Sequence, residues 1–279
     1  MPEKVNVNGI NISYEVQGIE QGEPIILVSG WCLKKEMWIA QIGPLSKHFK
    51  VITFDNRGCG KSDRPDMYYT FDMYADDILG LMEHLNLENA YLMGYALGAM
   101  ALMKFALKYP DRVKKLVLLN TIAHFATDDV VNRGTVINGK ALDFQQNAPE
   151  KYFMKSAPNA FHRNFIKEMQ ENPDKKFHDL WSIADWVKEY NIDPQTPNDV
   201  ENQGAAMLGL NLIEEIDQIK NDTLLIGGSN NMIHPKKGME AMHEKMPNSR
   251  LKILQKAGDM SYLSHAPEIN KLVIEFLSN

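Results

Sequence analysis

Six short, predominantly apolar runs alternate with stretches of helical periodicity, and this alternation constrains the fold more than any other feature of the chain. The runs are Pro24–Ser29, Val51–Phe54, Ala90–Met93, Leu116–Leu119, Leu224–Ile226 and Leu251–Leu254. A strand with one wet face alternates apolar and polar residues, whereas a strand covered on both faces is apolar along its length. Between the runs, Tyr74, Ile78, Leu81 and Leu85 fall at helical spacing, with Asp76, Asp77 and Glu83 turned away. Residues 97–108 read as a small-residue-rich helix closed by Pro110, and 235–246 and 267–277 as two more. Strand and helix in turn imply a mostly parallel sheet flanked by helices, an α/β architecture. Ahead of it, Val5, Val7, Ile10, Ile12, Tyr14 and Val16 alternate around Asn8-Gly9, the signature of a tight hairpin.

From about Ile122 to Ile213 the alternation stops. The composition shifts to Phe, Trp, Met and charged residues, with Phe161, Phe165, Met169, Trp181 and Trp186 on helix-like stretches broken by Pro149, Pro158, Pro173, Pro194 and Pro197. The expected organisation is a core of residues 1–121 and 214–279, with a helical cap over 122–213.

The net charge of −6 argues against nucleic acid or an anionic membrane as a partner, since both select clustered Lys and Arg. No stretch approaches the roughly 18 apolar residues of a membrane span, and the opening MPEKVNVNG has no signal-like apolar run. Cys32 and Cys59 are the two cysteines, so no disulfide framework is implied and a reducing cytoplasm is expected. No histidine spacing matches a metal site, so no metal and no cofactor are expected.

Val28-Ser-Gly-Trp-Cys32, Trp38, Phe54-Asp-Asn-Arg-Gly-Cys-Gly-Lys-Ser62, Tyr109-Pro-Asp-Arg-Val113, Leu116–Asn120, Ala257-Gly258 and Ala266-Pro-Glu268 occur in this order along the chain. Together they resemble the α/β-hydrolase fold family, and within it the small-substrate esterases and lactonases similar to 3-oxoadipate enol-lactonase. The resemblance covers nearly the whole chain.

It also implies where a catalytic triad would stand. The nucleophile of this family sits in G-x-S-x-G, a strained strand-to-helix turn; here the turn is Gly94-Tyr95-Ala96-Leu97-Gly98. The acid follows the next-to-last strand, where this chain has Gly228-Ser229-Asn230-Asn231, and the base follows the last strand, where it has Gly258-Asp259. The resemblance therefore places Ala96, Asn231 and Asp259 at the nucleophile, acid and base positions, with Asp259 a possible general base. Alanine forms no acyl-enzyme, and asparagine cannot stabilise an imidazolium. Restoring a serine at 96 alone is expected to recover little.

The oxyanion hole is built of main-chain N–H groups that side-chain substitution leaves in place. By resemblance these belong to Trp31 and Leu97, with Ser29, Gly30, Tyr95, Trp181 and Trp186 expected to line a ligand site. The expected function is non-hydrolytic: binding of a small carbonyl-bearing molecule, or lyase, cyclase or isomerase chemistry. The alternative is a small-ester or lactone hydrolase whose serine was exchanged for Ala96. His124 and His234 read as structural or solvent-facing, and Cys32 as a packing residue. Arg57-Gly-Cys-Gly-Lys-Ser62 ends like a phosphate-binding loop, but Asp55 and the poor helix start after Ser62 favour a bracing turn.

Overall fold

A computed structural model describes residues 2–125 and 127–279. Eight strands form one sheet: β1 Glu3–Val7, β2 Ile10–Gly18, β3 Pro24–Val28, β4 Lys50–Phe54, β5 Ala90–Tyr95, β6 Val113–Leu119, β7 Thr223–Gly228 and β8 Ser249–Leu254. Their spatial order is β1-β2-β4-β3-β5-β6-β7-β8. Pairings from β4 onward are parallel, while β1–β2 and β2–β4 are antiparallel. The hairpin turns at Asn8 and Gly9, both at positive φ (50° and 79°), as a two-residue turn between right-twisted strands requires.

The helices are α1 Ile39–Leu45, α2 Phe71–His84, α3 Leu97–Lys108, α4 Asp129–Asn147, α5 Pro149–Ala160, α6 Arg163–Glu171, α7 Ile183–Tyr190, α8 Pro197–Ala205, α9 Lys236–Lys245, α10 Ser261–Ser264 and α11 Ala266–Ser278. Successive strand residues point to opposite faces, and the core divides accordingly. Ile26, Val28, Leu92 and Leu116 join α2, α3 and α9 on one face. Ile25, Leu27, Met93 and Val117 join α1 and α11 on the other, together with Phe153, Phe177 and Trp181. This is the α/β-hydrolase architecture, and the unbroken apolar runs exist because both faces are covered.

Helices α4–α8 all lie between β6 and β7. Among the described residues of that stretch, extended pairing is limited to the isolated bridges His124–Asn211 and Phe177–Trp181. Two helix starts are fixed by reciprocal capping boxes, Ser182 with Asp185 and Thr196 with Asp199. Two begin on proline, whose missing N–H costs nothing in the first turn: Pro149 and Pro197.

Several contacts tie these helices to the core. Trp181 Nε1 donates to the Leu263 carbonyl at 3.2 Å, and Trp31 Nε1 to the Val200 carbonyl at 3.1 Å. The Lys34 ammonium donates to the carbonyls of Glu189, at 2.5 Å, and Ile192. Lys34 is buried, and desolvation lowers its pKa below the ordinary lysine value.

Candidate functional site

The site gathers where four loops meet at the carboxyl ends of β3, β5, β7 and β8. Ala96 joins β5 to α3 at φ 49° and ψ −116°, a conformation that costs a non-glycine residue of order 1–3 kcal/mol. The turn is tight enough that a Cβ on Gly98 would come within 2.3 Å of the Val28 carbonyl oxygen. Leu97 opens α3, and the first N–H groups of a helix have no intrahelical acceptor.

Asp259 is the hub of the cluster. Its Oδ1 accepts from Asn231 Nδ2 at 2.9 Å and pairs with His234 Nδ1 at 2.8 Å, and its Oδ2 accepts from the Tyr95 hydroxyl. Asn120, at the end of β6, donates to the Asp259 carbonyl at 2.5 Å and to Ser261 Oγ at 2.8 Å, while its Oδ1 accepts from Gly228 N. Asn231 Oδ1 accepts from the main-chain N–H groups of Ile233 and His234, which fixes its amide so that Nδ2 faces Asp259. Tyr95, Asn120, Asn231, His234, Asp259 and Ser261 are all buried. Three side-chain partners, Asn231, Tyr95 and His234, thus fix both oxygens of the Asp259 carboxyl. Burial first, then the Asp259 charge, push the Tyr95 phenol well above its ordinary pKa, and it remains a donor.

The structure thus brings Tyr95, Ala96, Asn231 and Asp259 together and adds His234, which lies buried in the cluster rather than facing solvent. The remaining expected residues take other roles. Ser29 is fully buried; its hydroxyl donates to the Lys34 carbonyl, and its own carbonyl accepts from Asn56. Gly30 leaves room for the Tyr95 ring, whose Cδ1 would be 2.7 Å from an added Cβ. Trp181 is fully buried among Phe153, Phe165 and Phe177, so its ring is turned into the core instead of toward a ligand. Trp186 packs near Phe153 and Tyr262 in the same cluster.

A cleft of about 30 Å³, room for one or two waters, opens beside the turn that follows Trp31. Cys32, Lys34, Leu142, Gln145, Tyr152 and Gln195 are among its lining residues; Ala96 and Asp259 are not. Gln145 is buried without a hydrogen-bond partner among the described residues, and Gln195 Oε1 is likewise unpaired. The Cys32 N–H donates to Gln203 Oε1, and Gln203 in turn donates to the Gly58 carbonyl. Burial raises the Cys32 thiol well above its ordinary pKa, so it is not an activated nucleophile.

The Arg57–Ser62 turn is internal bracing. Arg57 pairs with Asp77 through two hydrogen bonds of 2.6 Å, and Asp55 accepts from the Lys35 and Lys61 N–H groups. Among the described residues, no group of three or more His, Cys, Asp or Glu side chains is disposed to hold a metal, and no helix is long and apolar enough to cross a membrane.

The profile of the alpha/beta hydrolase fold family matches residues 23–266, and the chain belongs to that family. It is 25% identical over 272 residues to the AB hydrolase superfamily protein YisY of Bacillus subtilis, covering 95% of this chain and 96% of that one. The enol-lactonase of Burkholderia xenovorans superposes with a TM-score of 0.84 at 23% identity, over 99% of this chain and all of that one. A thermophilic esterase of Thermogutta terrifontis superposes at 0.81 and 23% identity, over 100% of this chain and 98% of that one.

Proposed function

We propose that this chain is a non-hydrolytic member of the family, which holds the carbonyl oxygen of a small molecule on the main-chain N–H groups of Trp31 and Leu97. The observation that carries the reading is the backbone of Ala96. A strained turn is kept at φ 49° and ψ −116° although the residue has no side chain to display. Strain of this kind persists where the geometry is used, and what the turn still offers is the N–H of the residue after it. The cleft beside Cys32, one residue beyond Trp31, presents the unpaired Gln195 Oε1 as an acceptor for a donor on the ligand.

The matched pair Asn231–Asp259 supports native divergence over the exchange of a single serine. A donor at 231 suits an acceptor at 259, and removing only the nucleophile produces neither. The test has two arms. Wild-type protein incubated with a fluorophosphonate should keep its intact mass and should turn over no p-nitrophenyl acetate. Calorimetric titration with neutral ketones, lactones and carboxylates should find at least one binding class. A stoichiometric adduct on the wild-type protein, or binding by none of the three classes, would sink the reading.

A further inference from the structure

The imidazole of His234 enters the buried cluster from the loop after β7, three residues past Asn231. In the family order of nucleophile, acid and base, the carboxylate comes from this loop and the imidazole from the loop after β8. Here the two are exchanged: the loop after β8 supplies the carboxylate of Asp259, and the loop after β7 supplies the imidazole, 2.8 Å apart. The donors on Asp259 from Asn231 and Tyr95 fix the carboxylate as a tautomer-setting acid must be fixed. A neutral imidazole that donates from Nδ1 to a carboxyl oxygen keeps its lone pair on Nε2. Nε2 has no hydrogen-bond partner among the described residues. The His234 ring lies 6.4 Å, edge to face, from that of Tyr95, the residue immediately before Ala96.

We propose that His234 and Asp259 form a transposed dyad whose Nε2 accepts a proton from a group held at the Ala96 turn. His234 is then the proton-transferring residue and Asp259 its positioning partner. The chemistry this opens on a bound molecule is proton removal from a hydroxyl, or from the carbon beside a carbonyl, with the charge received by the Trp31 and Leu97 N–H groups. That native use rests on the ligand reading above. The dyad itself does not, and it reverses the expectation drawn from Asn231 and Asp259 alone that a serine at 96 would recover little.

Ala96→Ser tests the dyad without a known ligand. In that variant the serine Oγ bonds to phosphorus of a fluorophosphonate, fluoride departs, and the hydroxyl proton passes to Nε2. The expected result is a mass gain of one phosphonyl group on Ala96→Ser. Labelling should slow by about 100-fold or more in both Ala96→Ser/His234→Gln and Ala96→Ser/Asp259→Asn, a loss in the range set by removing a positioned general base. An Ala96→Ser protein with wild-type circular dichroism and melting temperature that stays unlabelled overturns the proposal. So does one that labels at the same rate after His234→Gln. Labelling of the wild-type chain would instead remove the non-nucleophilic reading, so the two failures are separable.

Discussion

Asn231→Asp sets a second carboxylate against Asp259 and should destabilise the protein, increasingly so as the pH rises. Asn231 Nδ2 donates to Asp259 Oδ1 at 2.9 Å, and the substitution replaces that donor with a second carboxylate oxygen. Two unit charges 2.9 Å apart repel by about 6 kcal/mol even at an effective dielectric of about 20. Keeping one proton on the pair is the cheaper course. At pH 7 it costs a carboxyl of reference pKa about 3.9 roughly 4 kcal/mol, and the shared proton replaces the lost hydrogen bond. Above about pH 4 the folded variant therefore holds one more proton than its unfolded chain, so its stability falls by about 1.4 kcal/mol per pH unit. Urea titrations of both proteins at about pH 5 and about pH 7.5 should show a penalty that grows by up to about 3.5 kcal/mol between them. A penalty that is equal at the two pH values within about 0.5 kcal/mol would refute the reasoning.

Trp181→Ala should lower the unfolding free energy by about 3–5 kcal/mol in urea, because the ring is fully buried and also donates to Leu263. A loss below about 1 kcal/mol would place it outside the core. Gly98→Ala should cost at least about 1–3 kcal/mol by the same assay, since its Cβ would lie 2.3 Å from a main-chain oxygen that cannot rotate away. Tyr95→Phe should flatten the alkaline loss of stability. The Tyr95 pKa is raised in the fold, so above about pH 10 only the unfolded tyrosine ionises. The wild type then loses about 1.4 kcal/mol per pH unit that the phenylalanine variant keeps, measurable as diverging melting curves.

Much of the fold was legible because burial on two faces leaves a simple mark. All six apolar runs became strands, and the Asn8-Gly9 hairpin formed where the turn chemistry put it. The strand ends were less visible. β6 starts at Val113 and passes through Lys114 and Lys115, two residues that no apolar pattern includes. They are accommodated because Lys115 Nζ reaches the Phe276 carbonyl at the sheet margin and Lys114 pairs with Glu23. In the inserted helices the signals are local and say nothing of packing: Ser182 and Thr196 each stand three residues before an aspartate that closes a capping box. Trp181 misled for a different reason. An aromatic residue in a helical segment has the same sequence signature whether its ring meets a ligand or, as here, Phe153, Phe165 and Phe177.

The candidate site divides along the same physical line. Ala96, Asn231 and Asp259 could be located because each lies in the turn that follows a strand, and glycines mark those turns: Gly94 and Gly98 about Ala96, Gly228 before Asn231 and Gly258 before Asp259. His234 could not, because its partner lies 25 residues away and no spacing rule links them. What joins them is the parallel pairing of β7 with β8, where Gly228 stands opposite Leu254 and the two following loops run side by side. The identity of residue 231 is then tied to that of residue 259. A carboxylate at 259 needs donors around it, and the asparagine at 231 supplies one. Its Oδ1 accepts from the loop N–H groups of Ile233 and His234, and its Nδ2 donates to Asp259 Oδ1. An aspartate there would set charge against charge, whereas a residue without an amide would strand Asp259 short of one donor. The residues at 231 and 259 are therefore matched to one another, and His234 completes the set by bringing an imidazole to the carboxylate from the loop after β7.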